Sequence, residues 1–248
     1  MIVSERRGTD LLLLTLQRPE KRNALSQALI EQLTSELRHS DADPAVRSVI
    51  LAGTGPSFCA GVDLHEFAQA TPDTALALIE ALKALCATFG HLSKPVACAI
   101  QGHCLGGALE LAACADFRVS TPDAQLGMPE VFLGLPSVID AVMLGYLIGV
   151  GRSRELLLTG EPISGETALA WGLVNRLAAP GDLIDVAAEL LRLATRHAPD
   201  VIATQKRLHQ QWLDLPYTDA VERSVDSLVD AFRTGRPQQL AAERLRRN

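Results

Sequence analysis

A chain of 248 residues has the size of one large domain, or of a core with a small appendage. With 48% apolar and 21% charged residues, its composition is typical of a soluble globular protein. The net charge is −6 and basic residues are spread thinly outside an arginine-rich C-terminal tail, so the composition argues against nucleic acid as the principal partner.

The sequence predicts neither a membrane span nor an export signal. The longest apolar run, residues 141–151, is too short to cross a bilayer. Residues 1–10 include four charged side chains and lack the apolar centre of a signal peptide. The five cysteines form an odd set without a CxxC pair, which predicts neither disulfides nor a metal site. We therefore expect a cytoplasmic protein.

The first half of the chain predicts strands that alternate with loops and helices. Apolar residues recur at helical spacing over residues 26–41, and Ser26 is a suitable N-cap. A second helix is expected over residues 71–89, with Pro72 in its first turn. A glycine-bearing loop leads into a short helix capped by Asp63. Apolar runs predict strands at residues 11–17, 47–53 and 95–100.

A glycine turn then joins the third of these strands to an apolar helix. Gly106 and Gly107 lack side chains, so an electronegative atom can approach the free N–H groups at the start of that helix. Glu110 lies about one helical turn further on, among small and apolar neighbours where an unpaired charge is costly. This pattern indicates oxyanion and acid/base chemistry, although close packing around a salt-bridged core glutamate would give the same residues.

The second half of the chain becomes predominantly helical. Short strands are predicted at residues 117–121 and 124–127, followed by a loop over 128–136. Helices are predicted at residues 138–149, 152–158, 165–172, 182–196, 200–213 and 218–233. Strands with helical crossovers followed by a helical end predict an α/β fold, whose last helices pack onto the core or onto a neighbouring subunit.

Several ordered motifs resemble the crotonase, or enoyl-CoA hydratase/isomerase, superfamily, closest to the enoyl-CoA hydratases. They are RPEKRNAL at 18–25, FCAGVDL at 58–64, the glycine turn through FRV at 102–119, LGMPE at 126–130 with LGLP at 133–136, and the run over 151–175. The resemblance implies a spiral of ββα units in residues 1–195. It also implies a helical trimerisation region in residues 196–248, assembled as a trimer or a dimer of trimers.

Carried over by position, the resemblance implies a reaction of a coenzyme A thioester. The backbone N–H groups of Val62 and Gly107 would form the oxyanion hole, each stabilising the transition state by ~3 kcal/mol. Glu110 would orient and deprotonate water, and Glu130 would protonate Cα of a 2-enoyl group. No cofactor is expected, because coenzyme A is part of the substrate. Taken alone, Glu130 after Pro129 is more typical of a helix-start or loop charge.

The same resemblance predicts the residues that contact the substrate. The loops at residues 21–24 and 58–64 would hold the coenzyme A moiety, and Arg22 would contact its phosphates unless it is a solvated loop charge. Asp63 and Asp116 also receive structural roles, as a helix cap and as a partner of Arg118. The predicted contacts are Arg22, Ala24, Phe58, Ala60, Gly61, Asp63, Leu64, Gly106, Pro129, Ser137 and Asp140.

The sequence departs from the family pattern after Pro136. Many hydratases carry a glycine-rich run there, whereas this chain has Ser137, Val138, Ile139 and Asp140. The bulkier residues should reshape the acyl pocket, and Asp140 is either a favourable helix-dipole contact or a determinant of acyl selection. The acyl group therefore stays open.

Three other functions remain possible from the sequence. The first is a Δ3,Δ2-enoyl-CoA isomerase or another thioester enolate reaction, although isomerisation characteristically needs one carboxylate. The second is RNA binding, as in some relatives, but residues 26–41 contain no lysine. The third is a scaffold that keeps the fold without the chemistry.

Overall fold

The computed structural model describes residues 1–247, and its main β-sheet has six strands in the order β1-β2-β3-β4-β6-β9. β1 is antiparallel to β2, and the remaining neighbours are parallel. All residues of β3 and β4 are buried, as expected for inner strands covered on both faces. The strands are β1 (Ile2–Arg7), β2 (Leu11–Leu16), β3 (Ser48–Gly53), β4 (Val96–Ile100), β6 (Phe117–Ser120) and β9 (Arg176–Leu177).

A smaller sheet of three short strands lies beside the glycine turn. β5 (His103–Leu105) is parallel to β7 (Gln125–Gly127), which is antiparallel to β8 (Ile163–Ser164). The predicted strand over residues 124–127 is therefore present, whereas residues 103–105, predicted as part of the glycine turn, form a strand. Three residues between glycines offer too little pattern to distinguish a strand from a turn.

Helices cover both faces of the main sheet. On one face, α8 contributes Leu183, Ala187 and Leu191 to a core with β3 and β4. On the other face, α1, α3 and α4 form the larger core. The helices are α1 (Gln27–Ala42), α2 (Leu64–Phe67), α3 (Pro72–His91), α4 (Gly107–Ala113), α5 (Val142–Ile148), α6 (Val150–Thr159), α7 (Gly165–Trp171), α8 (Leu183–Thr195), α9 (Pro199–Asp214), α10 (Tyr217–Arg233) and α11 (Arg236–Arg247).

The caps predicted at Ser26 and Asp63 are confirmed, and α3 has a further, unpredicted cap at Thr71. The Ser26 hydroxyl accepts a hydrogen bond from Leu29 N at 3.3 Å, and Thr71 forms a reciprocal capping box with Thr74. Asp63 caps α2 by accepting from His65 N at 3.0 Å. The expected helix over 138–149 is instead divided, because a 3-10 turn at Ile139–Ala141 precedes α5.

The predicted pairing of Asp116 with Arg118 is wrong. Asp116 accepts a hydrogen bond from Val96 N at 2.7 Å and pairs with Lys206 of α9. The buried Arg118 guanidinium instead donates to backbone carbonyls, at 2.6 Å to Leu173 O and 2.7 Å to Ala115 O. Carbonyls at the end of α4 lack helical partners, and the guanidinium has enough N–H donors to satisfy several of them at once.

Side-chain hydrogen bonds join α9 to the end of α3 and to α10. Gln210 Nε2 of α9 donates to Gly90 O at 3.2 Å, and Trp212 Nε1 donates to Ser224 Oγ of α10 at 2.8 Å. Apolar side chains on α10 remain exposed at helical spacing: Val221, Val225, Leu228, Val229 and Phe232. In the described residues, α10 therefore presents an apolar face that α9 does not cover.

Among the helices of residues 1–247, α3 is long and apolar enough to cross a membrane by length and composition alone. Its residues Leu82, Leu85 and Phe89 are fully buried in the larger core. A buried core helix passes the same test, so this property is weak evidence for a membrane span.

Candidate active site

The glycine turn between β5 and α4 brings two backbone glycines against two carboxylates. Gly106 has a φ of +54°, which an L side chain rarely adopts, and its N–H donates to Gly127 O at 2.9 Å. A Cβ added to Gly106 would lie 2.6 Å from Glu130 Oε1. A Cβ added to Gly107 would lie 3.9 Å from Glu110 Oε2 and 2.7 Å from Leu82 Cδ2. The space beside these glycines is therefore shared with both acids.

A second loop packs against this turn through its backbone. Gly61 has a φ of +90°, and an added Cβ would meet Leu105 O at 2.6 Å. Cys59 N donates to His103 O at 2.9 Å, and Leu105 N donates to Cys59 O at 3.2 Å. Because no side chain separates them, the loop that carries Val62 lies directly beside the start of α4.

Val62 and Gly107 have free backbone N–H groups in the described part of the chain. Neither amide donates a hydrogen bond, although Gly61 O and Asp63 N on either side of Val62 both bond to Leu25. Val62 Cγ2 would lie 3.6 Å from a Cβ on Gly107, so the two residues are neighbours. Two unpaired donors on neighbouring residues can bind a single anionic oxygen.

Glu110 is almost fully buried, with 3% of its surface exposed. Burial, followed by the negative charge of Glu130, raises the pKa of Glu110 to about 8. Ala141 N donates to Glu110 Oε1 at 3.2 Å, which favours the charged form and limits the rise. A carboxyl group whose pKa lies near neutral pH can both accept and release a proton at physiological pH.

We expect the Glu110→Gln variant to be more stable than the native protein at alkaline pH. A raised pKa in the folded state means that the native protein loses stability as pH rises from the unfolded value through about 8. Glutamine removes this loss, which is about 1.4 kcal/mol for each unit of the pKa rise. Urea unfolding at pH 5 and pH 9 measures the difference.

Glu166→Gln is the matched control, because Glu166 is an exposed glutamate in the first turn of α7. It should leave the difference between the two pH values unchanged. Equal pH dependence in the native protein and Glu110→Gln would contradict the raised pKa.

Glu130 lies in the 3-10 turn Pro129–Leu133 and is half-buried. Its Oε2 accepts a hydrogen bond from Ser137 Oγ at 3.0 Å, while its Oε1 faces Gly106. Ser137, predicted to contact substrate, thus orients Glu130. The structure brings together Glu110, Glu130, Val62, Gly106, Gly107, Pro129 and Ser137.

The residues predicted to hold coenzyme A differ in their exposure. Arg22 and Leu64 are exposed, Ala60 is half-buried, and Ala60 N donates to Arg22 O at 3.0 Å. These loops are therefore adjacent and accessible. Ala24 and Gly61 are buried beside them.

Phe58 and Asp63 lie in the interior instead. The Phe58 side chain is fully buried in the larger core, and its N–H donates to Gln101 O at 2.7 Å. Asp63 is paired with Arg18 at 2.9 Å. Burial acts to raise the pKa of Asp63, but its hydrogen bonds with Arg18 and His65 N outweigh burial and lower it. Both residues are occupied by contacts that shape the loop.

Sequence reasoning missed Asn23, which fixes the first loop to the second. This buried residue has a φ of +56°, and its side-chain amide donates to Thr54 O at 2.9 Å and Ser57 O at 2.8 Å. Asn tolerates a left-handed backbone and its side-chain amide supplies two donors, so an asparagine in this loop could have predicted such a link between the loops.

Asp140 carries a further negative charge near Glu110, and after burial and the charge of Glu130 it also raises the pKa of Glu110. Its side chain lies next to Cys86 and Cys114, while the following residue, Ala141, contacts Glu110. Ile139, the first residue of the 3-10 turn, has a φ of +52°, which is uncommon for a β-branched residue. The segment that departs from the family pattern therefore places a strained turn against Glu110.

Comparison with solved structures identifies the fold. The chain aligns with the crystal structure of an enoyl-CoA hydratase from Bacillus anthracis at a TM-score of 0.89 and 28% identity, covering 94% of this chain and 91% of that one. The predicted α/β architecture, a crotonase spiral with a helical C-terminal region, is confirmed.

Sequence comparison identifies the family. The model described as enoyl-CoA hydratase/isomerase matches residues 6–239, and the chain belongs to this family. A mevalonyl-coenzyme A hydratase, sidH, from Aspergillus fumigatus is 36% identical over 226 residues, covering 90% of this chain and 82% of the relative. A probable enoyl-CoA hydratase, echA6, from Mycobacterium bovis is 38% identical over 208 residues, with 82% of each chain covered.

Proposed function

We propose that the protein is an enoyl-CoA hydratase, which adds water reversibly across the 2,3 double bond of an enoyl-CoA thioester. One observation carries the proposal: Glu110 and Glu130 lie beside Gly107 and Gly106, next to two amides without partners. Hydration needs a base, an acid and an oxyanion site around adjacent carbons, and this arrangement can supply all three. The hydratase names of relatives in the same family support it.

The two free amides would bind the thioester oxygen. As water adds to Cβ, the electron pair of the double bond moves toward this oxygen, whose charge the N–H groups of Val62 and Gly107 stabilise. Donors held in place before the reaction contribute ~3 kcal/mol each, because no reorganisation is needed as the charge develops.

The two glutamates would move the protons. In hydration, Glu110 takes a proton from water as the water oxygen bonds to Cβ, and Glu130 gives a proton to Cα as the enolate collapses. Glu110 ends protonated and Glu130 ends charged, so exchange of one proton with solvent resets the pair. Dehydration is the reverse, and it begins from the protonated Glu110 that burial and the charge of Glu130 favour through its raised pKa.

The substrate would enter along the two loops at residues 21–24 and 58–64. We infer that exposed Arg22 contacts the coenzyme A phosphates, and that the loop backbones hold the pantetheine arm. Phe58 and Asp63 would act through loop shape, since both side chains are buried. No cofactor beyond the coenzyme A of the substrate is required by this mechanism.

We also infer a homo-oligomer, a trimer or a dimer of trimers, built through residues 196–248. The exposed apolar face of α10 supports this inference, because contiguous apolar surface on a helix favours association. Residues 1–195 would form the catalytic core. We place the reaction in the cytoplasm, without a role for membranes or nucleic acid.

The test is turnover of a panel of short, long, branched and aromatic 2-enoyl-CoA thioesters. Hydration removes the conjugated double bond, so absorbance should fall with at least one member. Isomerisation of a 3-enoyl-CoA with no hydration of any conjugated substrate would replace the proposal by an isomerase. No turnover of any thioester would instead support a scaffold without chemistry.

A further inference from the structure

A second group of reactive side chains lies at the end of α4 opposite the glycine pair. Cys114 follows the last residue of α4, Cys86 lies on α3, and Asp140 lies in the 3-10 turn Ile139–Ala141. One ligand-type atom from each residue, two Sγ and one carboxylate oxygen, lie within 4.8 Å of one another. Three separate elements therefore bring two thiols and a carboxylate close together.

We propose that Cys86, Cys114 and Asp140 form a binding site for a soft divalent cation of the Zn²⁺ type. Zinc is bound at ~2.3 Å by thiolate sulfur and at about 2.0–2.2 Å by carboxylate oxygen, so tetrahedral ligand atoms lie about 3.5–3.8 Å apart. Side-chain rotations that move these atoms by about an ångström bring the present arrangement to that spacing. Two sulfur ligands select zinc-like cations over magnesium or calcium.

The proposed site has a path to solvent. All three ligands line a cavity of about 650 Å³, which also contacts His91 and Met143. Cys86 itself is 1% exposed, and the other two ligands are half-buried. A cation can therefore enter through the cavity and keep a water in its fourth position, as three-ligand zinc sites do.

The neighbouring groups shift the pKa values of Cys86 and Asp140. Contact with the Cys114 thiol and burial raise the pKa of Cys86, so Cys86 is neutral. Burial also raises the pKa of Asp140, although both thiols favour its charged form. Zinc binding forms two S–Zn bonds and one O–Zn bond to the Asp140 carboxylate and breaks two S–H bonds, and the two protons pass to solvent.

Occupation of this site should inhibit the reaction, a consequence that rests on the proposed hydratase function. Asp140 directly precedes Ala141, whose N–H donates to Glu110 Oε1 at 3.2 Å. Drawing the Asp140 carboxylate toward the two sulfurs would move this strained turn and alter the hydrogen bond to Glu110. The site would thus link metal availability to turnover.

The test is titration of the metal-free protein with Zn²⁺ against a chromophoric chelator. We expect one Zn²⁺ per chain, with affinity lowered in Cys86→Ser and Cys114→Ser by at least the ~10–100-fold that loss of an outer-shell partner causes. Cys98→Ala is the matched control, because this buried β4 thiol lies outside the cluster. Equal affinity in the native protein and Cys86→Ser, or equal loss in Cys98→Ala, would overturn the site.

Two further measurements separate this proposal from its alternatives. Co²⁺ should give a thiolate-to-metal charge-transfer band in the native protein and in Asp140→Asn, so a missing band overturns the site even if the serine variants do not fold. Affinity lost in Glu110→Gln and kept in Cys86→Ser would place the cation at the glutamate pair and overturn it too. Because binding is measured without substrate, absence of hydratase activity would count only against the proposed function.

Discussion

Replacing Glu110 by glutamine should lower kcat for hydration by about 10²–10⁴-fold, the range that general acid–base groups contribute. Glutamine keeps the size of the side chain and can still contact Ala141 N, but it cannot take a proton from water. Loss of absorbance of a conjugated enoyl-CoA gives the rate. KM should change little, since the thioester oxygen would still bind the two free amides.

Glu130→Gln should reduce kcat over the same range by removing the proton donor to Cα. The double variant should lose little more activity than either single variant, because the rate effects of two groups that act together in one proton transfer are not additive. Glu166→Gln, an exposed glutamate in the first turn of α7, is the control and should keep full activity. Hydration undiminished in either single variant would remove that residue from the proposed mechanism.

Gly106→Ala should lower hydratase activity by about 10²-fold or more, comparable to the loss of one oxyanion donor. The added Cβ would lie 2.6 Å from Glu130 Oε1, and the φ of +54° is one that alanine rarely adopts. Glu130 and the first amides of α4 must both shift, so the variant loses alignment even where it folds. Steady-state kinetics and circular dichroism measure the two effects.

Gly8→Ala separates the clash from backbone strain. Gly8 has a similar φ of +64°, and no atom lies within 4 Å of its added Cβ. Alanine there should cost about 1–2 kcal/mol of stability through its left-handed backbone and leave kcat unchanged. Similar kinetic losses in both variants would mean that strain, and not the contact with Glu130, explains the Gly106 result.

The regular parts of the fold were predictable because local pattern and burial agree. The apolar residues at helical spacing after Ser26 are the buried face of α1, and the apolar run of residues 95–100 contains the buried strand β4. The edge strand β1 was missed because five of its six residues are exposed and only its first two, Ile2 and Val3, are apolar. The last helix, α11, was missed because its basic composition gave no apolar stripe long enough to recognise.

The site was predictable where its geometry requires a particular residue type. Gly106, Gly107 and Gly61 indicate that other atoms approach the backbone closely, and Glu110 among small residues indicates a buried carboxylate. The contact of Ala141 N with Glu110 was not predictable, because an N–H carries no residue-specific signal and the two residues are 31 positions apart. The surroundings of Asp140 were missed for a related reason, since its two cysteine neighbours come from separate helices.

The sparse burial of the C-terminal helices implies a gradient of local stability along the chain. Only Leu208 in α9 and Ala220 in α10 are buried, whereas every residue of β3 and α4 is buried. Segments with few buried contacts open at low free-energy cost, without global unfolding. In an isolated copy, amide protons of α10 should thus exchange with solvent well before those of β3, and association that covers α10 would slow them selectively.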